Sequence, residues 1–180
     1  MKKANPRQRA WLEVSPLAIE QNARILKGQI SAHCLLMAVV KADGYGHGAE
    51  TVARAALRGG ADSLGVATLQ EGMELREVGI TCPILVLGNF FDLEDFSTCL
   101  QWGLMPTISN IREALLCQEI AQSTDQKFDI QLKIDTGMTR LGCNLDDSLA
   151  LIKRINDLSH LKLVGIYSHL ALADSQSYSS

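Results

Sequence analysis

The 180-residue sequence lacks the features of several classes of protein. Its longest uninterrupted apolar run, residues 34–40, is far shorter than the roughly 20 residues that a membrane-spanning helix needs. The 17 Lys and Arg residues are balanced by 20 Asp and Glu residues, and no block of like charge occurs. A nucleic-acid-binding surface normally has an excess of basic residues. We therefore predict neither a transmembrane segment nor a nucleic-acid partner.

The cysteines do not form a metal-binding or disulfide pattern. They are odd in number, contain no C-x-x-C pair and lie mostly in apolar stretches: Cys34, Cys82, Cys99, Cys117 and Cys143. Such cysteines are typical of reduced core thiols, and we predict no metal site. Residues 1–9 are basic, but residues 11–13 are not the apolar stretch of a signal peptide. We expect a cytoplasmic protein.

What the sequence does contain is a regular alternation of short apolar runs and segments with helical spacing, which predicts βα units. The expected strands are residues 36–41, 63–67, 84–88, 105–108, 130–134 and 163–169.

Helix-start and helix-stop signals fall between these strands. Ser15 followed by Pro16 predicts a helix to about residue 27. Thr68 and Glu71 form a capping-box pattern, and Gly79 is expected to end that helix. Two further helices are expected at residues 49–57, before Gly59 and Gly60, and from a cap at Ser109 to about residue 121.

Continuous apolar strands buried by helices fit either a (β/α)8 barrel or an open doubly wound sheet. No G-x-G-x-x-G follows a strand, which favours the barrel. A complete barrel takes about 250 residues, so we expect an incomplete TIM barrel with about six of its eight βα units. The whole chain, 1–180, is then the N-terminal part of a barrel domain, and residues 175–180 are a polar tail or a cut loop.

The most specific stretch is residues 37–48, MAVVKADGYGHG. It predicts a strand that ends in Lys41, at the rim where such barrels build active sites, followed by a glycine-rich turn. A lysine partly removed from water there can present the neutral amine that Schiff-base formation with an aldehyde requires.

Three segments in order resemble the alanine racemase family. They are residues 38–48 (AVVKADGYGHG), 132–142 (LKIDTGMTRLG) and 165–174 (GIYSHLALAD). The sequence departs from the family pattern at Gly44, where alanine is frequent, at Thr139, where glycine is common, and at Leu172, where threonine is frequent. The resemblance covers residues 11–174 and implies a barrel that binds pyridoxal 5′-phosphate (PLP).

The resemblance also implies roles for individual residues. Lys41 would bind PLP covalently and act as one of two catalytic acid/base groups, and Tyr45 would hydrogen-bond the cofactor phosphate. Arg140 would lie near the phenolic oxygen of the cofactor and the carboxylate of the substrate. The lysine matching Lys133 is carbamylated in several family members, and His169 would lie against the pyridine ring.

In the family, the second base is a tyrosine from the C-terminal β domain of the partner subunit. Neither Tyr167 nor Tyr178 matches it, and we expect that domain to lie outside this chain. The resemblance therefore implies a homodimeric parent protein that interconverts L- and D-alanine for peptidoglycan, and a chain that is inactive alone. The alternatives are a non-catalytic PLP-binding barrel of the cofactor-homeostasis type and a serine or broad-specificity racemase.

Considered without the resemblance, each residue also has a structural interpretation. Lys133 would be a core-edge lysine paired with Asp135 or Asp129, Arg140 a charge on a surface loop, and His169 a hydrogen-bonded structural histidine. Tyr45 would pack on its turn. We expect a structural role for His47 and surface positions for His33 and His160.

Overall fold

A computed structural model describes residues 10–173 of the chain. The predicted polar tail at 175–180, together with Asp174 and Tyr178, lies outside these residues. The elements follow one another as α1 (Pro16–Gln29), β1 (Met37–Val39), α2 (Lys41–Gly46), α3 (Ala49–Arg58), β2 (Ser63–Val66), α4 (Leu69–Glu77), β3 (Ile84–Val86), α5 (Leu93–Gln101), β4 (Met105–Ile108), α6 (Ile111–Ser123), β5 (Phe128–Ile134), α7 (Leu145–Asn156) and β6 (Leu161–Ser168).

The six strands form one parallel sheet in the order β1-β2-β3-β4-β5-β6. Each strand therefore pairs with the next along the chain. A doubly wound sheet reverses its strand order at a switch point, whereas a barrel adds strands in one direction. The observed order confirms the incomplete barrel. No helix in the described part of the chain is long and apolar enough to cross a membrane.

The core lies between the sheet and its helices. Its largest fully buried side chains include Phe96, Phe128, Leu64, Ile84 and Ile130. Phe96 packs edge-to-face against Phe90, with 5.2 Å between the ring centres. Cys99, Cys117 and Cys143 are buried free thiols, as the sequence predicts for most of the cysteines, whereas Cys34 is exposed.

Most of the predicted helix boundaries are confirmed. The Ser15 side chain accepts a hydrogen bond from the Ala18 amide, and Thr68 and Glu71 form both bonds of a capping box. Gly79, at φ 82°, follows the end of α4.

The cap of α6 was predicted one residue too early. Asn110, not Ser109, is the N-cap, and its side chain accepts from the Glu113 amide. The Ser109 amide instead donates to Glu113 Oε2 at 2.6 Å.

Candidate active site

Lys41 lies just beyond β1, in a turn of unusual backbone conformation. The prediction that the strand continues to Lys41 is wrong, because β1 ends at Val39 and Lys41 begins α2. The next four residues have left-handed dihedrals, with φ of 51° at Ala42, 52° at Asp43, 61° at Gly44 and 55° at Tyr45. Non-glycine residues seldom adopt this region, so the surroundings must hold the turn.

Hydrogen bonds at both ends of the turn provide this support. The Gly44 amide donates to the Val40 carbonyl at 2.9 Å, and the Ala49 amide donates to Asp43 Oδ1 at 2.7 Å. His47 Nδ1 lies 3.0 Å from the Gly44 carbonyl, in agreement with the structural role expected for this histidine.

The turn also packs closely against α3. A Cβ atom on Gly44 would lie 2.7 Å from Val52 Cγ2, which is closer than side-chain contacts allow. The close approach of Val52 therefore leaves no room for a side chain at position 44.

A cavity of about 530 Å³ opens at the carboxyl ends of the strands. Four of the five predicted site residues line it: Lys41, Lys133, Arg140 and His169. Within the described part of the chain, the lining contains no aspartate or glutamate. A cavity lined by Lys41 and Arg140, without an acidic side chain to pair with them, favours an anionic ligand.

The fifth residue, Tyr45, does not line this cavity. Its side chain is exposed, and its ring centre lies 5.9 Å from Lys41 Nζ. The turn thus brings the tyrosine next to the lysine but leaves its ring in solvent.

Lys133 is a buried amine with only 6% of its surface exposed. Burial lowers its pKa, the charges of Arg140 and Lys41 lower it further, and Asp135 opposes them. The predicted pairing with Asp135 or Asp129 is wrong, because no ion pair of Lys133 occurs among residues 10–173. Its Nζ instead lies 5.6 Å from the centre of the Tyr167 ring.

Tyr167 lines the cavity, although no role is predicted for it from the sequence. Its hydroxyl is 2.7 Å from Thr107 Oγ1, and Thr107 itself donates to the Val86 carbonyl at 2.7 Å. Since the threonine proton is used in that bond, Tyr167 donates to Thr107. Burial raises the pKa of Tyr167. These two hydrogen bonds fix the Tyr167 ring next to Lys133.

Arg140 lies on the loop after β5, which is folded around Asp135. Asp135 Oδ1 accepts from the amides of Gly137 at 3.0 Å and Thr139 at 2.9 Å, and these bonds lower the pKa of its carboxyl group. Thr139 adopts φ 54°, which agrees with the frequent glycine at this position in the resembled family. The loop closes at Gly142, where a Cβ atom would lie 2.6 Å from the Asp135 amide nitrogen.

The other histidines contact neither the cavity nor each other. His33 is exposed, as predicted. The surface position predicted for His160 is confirmed in part, since this residue is partly exposed and its Nδ1 lies 3.2 Å from Gln118 Nε2.

The fold and the cavity define a parallel α/β barrel protein with a lysine-rich site at the strand ends. The sequence model of the family described as "Alanine racemase, N-terminal domain" matches residues 14–180. The chain belongs to this family.

Individual relatives agree with this assignment. The chain is 61% identical over 174 residues to an alanine racemase of Prochlorococcus marinus, covering 97% of this chain and 45% of the relative. It is 45% identical over 168 residues to an alanine racemase of Synechocystis sp., covering 93% of this chain and 45% of the relative. The chain thus spans less than half the length of these relatives.

Solved structures show the same likeness. The alanine racemase of E. faecalis superposes with a TM-score of 0.85 at 32% identity, covering 91% of this chain and 44% of that one. The alanine racemase of Clostridium difficile 630 in complex with cycloserine gives a TM-score of 0.82 at 36% identity, covering 90% of this chain and 44% of that one. The similarity does not favour the alternative of a non-catalytic PLP-binding barrel.

Proposed function

We propose that this chain is the PLP-binding part of a racemase that interconverts L- and D-alanine. The observation that carries the proposal is the cavity in which Lys41, Lys133 and Arg140 meet without an acidic residue. Such a site suits a ligand with a phosphate and a substrate with a carboxylate.

The residues present fit PLP. The cavity volume of about 530 Å³ is within the range of small-ligand sites. Lys41 supplies an amine for covalent attachment at the mouth of the cavity, and His169 in its lining is proposed to contact the ring. Tyr45 lies outside the lining, beside Lys41, and its hydroxyl is proposed to donate to the phosphate from there. When bound, PLP serves as an electron sink that makes the α-proton of an amino acid acidic.

The roles of the protein residues follow from racemisation. Lys41 removes or returns the α-proton on one face of the substrate, while the Arg140 guanidinium orients the carboxylate. Inversion needs a second base on the opposite face. We expect the rest of a longer parent protein to supply that base. The parent protein is expected to be a homodimer in the cytoplasm that supplies D-alanine for peptidoglycan.

Lys133 is proposed to carry a carbamate. A neutral amine adds to CO2, forming an N–C bond and releasing one proton, and the lowered pKa of Lys133 favours the neutral amine. The product is an anion beside Arg140, which would attract it, whereas Arg140 repels the ammonium form of Lys133.

A chimera tests the proposed activity. Residues 14–173 replace the matching segment of the Prochlorococcus marinus relative, and the formation of D-alanine from L-alanine is measured with PLP present. We expect racemisation by the chimera, none by its Lys41→Ala variant, and none by the 180-residue chain alone. An inactive but folded chimera would contradict the proposed function, and racemisation by the isolated chain that depends on Lys41 would contradict its inactivity.

A further inference from the structure

We propose that Glu71 is a positioning residue for Lys41. Its carboxylate connects the loop that contains Lys41 to the loop after β2, and so fixes the left-handed turn at the cavity rim. This inference rests on the proposed function of Lys41.

The carboxylate of Glu71 accepts hydrogen bonds from two loops. Oε1 accepts from the Ala42 amide at 2.7 Å, immediately after Lys41. Oε2 accepts from the amide of Ala67 at 2.6 Å and from that of Thr68 at 3.2 Å. Capping of α4 needs only Oε2. Oε1 is therefore available to bind the loop after β1, which contains Lys41.

The position of the Ala42 amide matters because the turn is strained. Ala42 begins the run of left-handed residues with φ 51° and ψ 51°. Outside glycine, each such residue is less stable than in the right-handed region. An acceptor for the Ala42 amide, provided by a carboxylate, favours the backbone direction from which the Lys41 side chain enters the cavity.

The same construction occurs two units later without a lysine. Glu113 Oε2 accepts from the Ser109 amide at 2.6 Å, and Oε1 accepts from Asn89 Nδ2 at 3.1 Å. In both cases one oxygen accepts from a backbone amide of the glutamate's own loop and the other contacts the loop of the preceding unit, although Glu113 Oε1 also accepts from Asn110 Nδ2 at 2.8 Å. Glu113 therefore provides an internal comparison for a glutamate that connects loops but does not touch the lysine turn.

The test compares Glu71→Gln with Thr68→Ala. Both variants weaken the capping box of α4, but only Glu71→Gln alters the acceptor of the Ala42 amide. A glutamine has only one acceptor oxygen. When that oxygen accepts from the Ala67 and Thr68 amides, the NH2 group faces the Ala42 amide, which then has no acceptor. Glu71→Asp is the second variant, because its shorter side chain cannot bridge both loops, and Glu113→Gln is the matched control.

The first measurement is hydrogen exchange of the Ala42 amide in the 180-residue chain without PLP. We expect exchange at least about tenfold faster in Glu71→Gln and Glu71→Asp than in the unaltered chain, from the loss of a bond to a charged acceptor. Exchange in Thr68→Ala and Glu113→Gln should remain close to that of the unaltered chain. Unchanged exchange in both Glu71 variants would overturn the proposal.

The second measurement is the fraction of pyridoxyl label on Lys41 after incubation with PLP and borohydride reduction. We expect that fraction to fall by about tenfold in Glu71→Gln and to persist in Thr68→Ala. An equal fall in both variants would show a merely structural role. If the unaltered chain is not labelled at Lys41, the proposed function fails, while the exchange measurement still decides whether Glu71 holds the turn.

Discussion

Lys133 Nζ lies 5.6 Å from the centre of the Tyr167 ring, and no carboxylate among the described residues forms an ion pair with it. A buried ammonium without an anion is unfavourable, because burial removes water that no opposite charge replaces. The nearby Arg140 and Lys41 add to this cost. The buried, unpaired amine of Lys133 therefore lowers the free energy of unfolding.

Lys133→Met should therefore stabilise the chain in buffer freed of CO2. Methionine is one atom shorter than lysine, is apolar and removes the charge, and we expect a gain of about 1–3 kcal/mol in the free energy of unfolding at pH 7. Because the pKa of Lys133 is lowered in the folded state, the unfolded state binds more protons between that pKa and the ordinary value of 10.5. The stability of the unaltered chain should rise with pH across this interval.

The difference between Lys133→Met and the unaltered chain should consequently shrink as the pH rises from 7 towards 10. Urea unfolding at several pH values measures it. A difference that stays constant over this interval would show that Lys133 does not titrate with a lowered pKa.

Carbon dioxide should turn the destabilising effect of Lys133 into a stabilising one, because the carbamate is an anion. In bicarbonate buffer we expect the unaltered chain to gain stability and to show a carbamate resonance when labelled with ¹³C-bicarbonate. Lys133→Met should lose both signals, whereas Lys162→Met, at an exposed position of β6, should keep them. A resonance that persists in Lys133→Met would assign the carbamate to another amine.

Gly44→Ala should destabilise the chain more than Gly46→Ala. Both glycines have positive φ, 61° and 80°, so both variants introduce backbone strain, but only at Gly44 does the new methyl group meet Val52 at 2.7 Å. A Cβ on Gly46 would meet nothing within 4 Å. We expect Gly44→Ala to cost about 1–3 kcal/mol more than Gly46→Ala in urea unfolding.

Val52→Ala should remove most of this extra cost. In a double-mutant cycle the two substitutions are then strongly coupled, because the second removes the atom that the first meets. Additive effects of the two substitutions would contradict the packing of the turn against α3.

Gly142→Ala should disturb the loop that carries Arg140, whereas Gly137→Ala should affect it far less. The two residues have similar φ, 124° and 120°, but only a Cβ on Gly142 would meet backbone, with Asp135 N at 2.6 Å and Ile134 C at 2.8 Å. Backbone atoms cannot move aside as a flexible side chain can. We expect a loss of about 2 kcal/mol or more relative to Gly137→Ala, measured by urea unfolding. Equal losses would show that the loop closes differently.

The sequence predicts features set by local chemistry better than those set by contacts between units. The Ser15 cap, the Thr68–Glu71 capping box and the alternation of strands and helices follow from neighbouring residues and hydrophobic period. The left-handed turn after Lys41 depends partly on the Glu71 carboxylate, 29 residues away in sequence. The burial of Lys133 beside Tyr167 depends on the pairing of β5 with β6.

The α6 cap shows the same limit. Ser109 and Asn110 are both good capping residues, and the sequence alone favours neither strongly. In the structure Asn110 is the cap and accepts from the Glu113 amide, while the Glu113 carboxylate accepts from Asn89 in the preceding unit, a contact between units that the local sequence does not reveal.

We infer that the cavity at the strand ends selects Lys41 for PLP. The most direct test incubates the 180-residue chain with PLP, reduces it with borohydride, digests it, and locates the pyridoxyl group by mass spectrometry. We predict a single major adduct on Lys41, which is lost in Lys41→Ala without transfer to Lys133. Label scattered over exposed lysines, or no label in a folded chain, would contradict the claim.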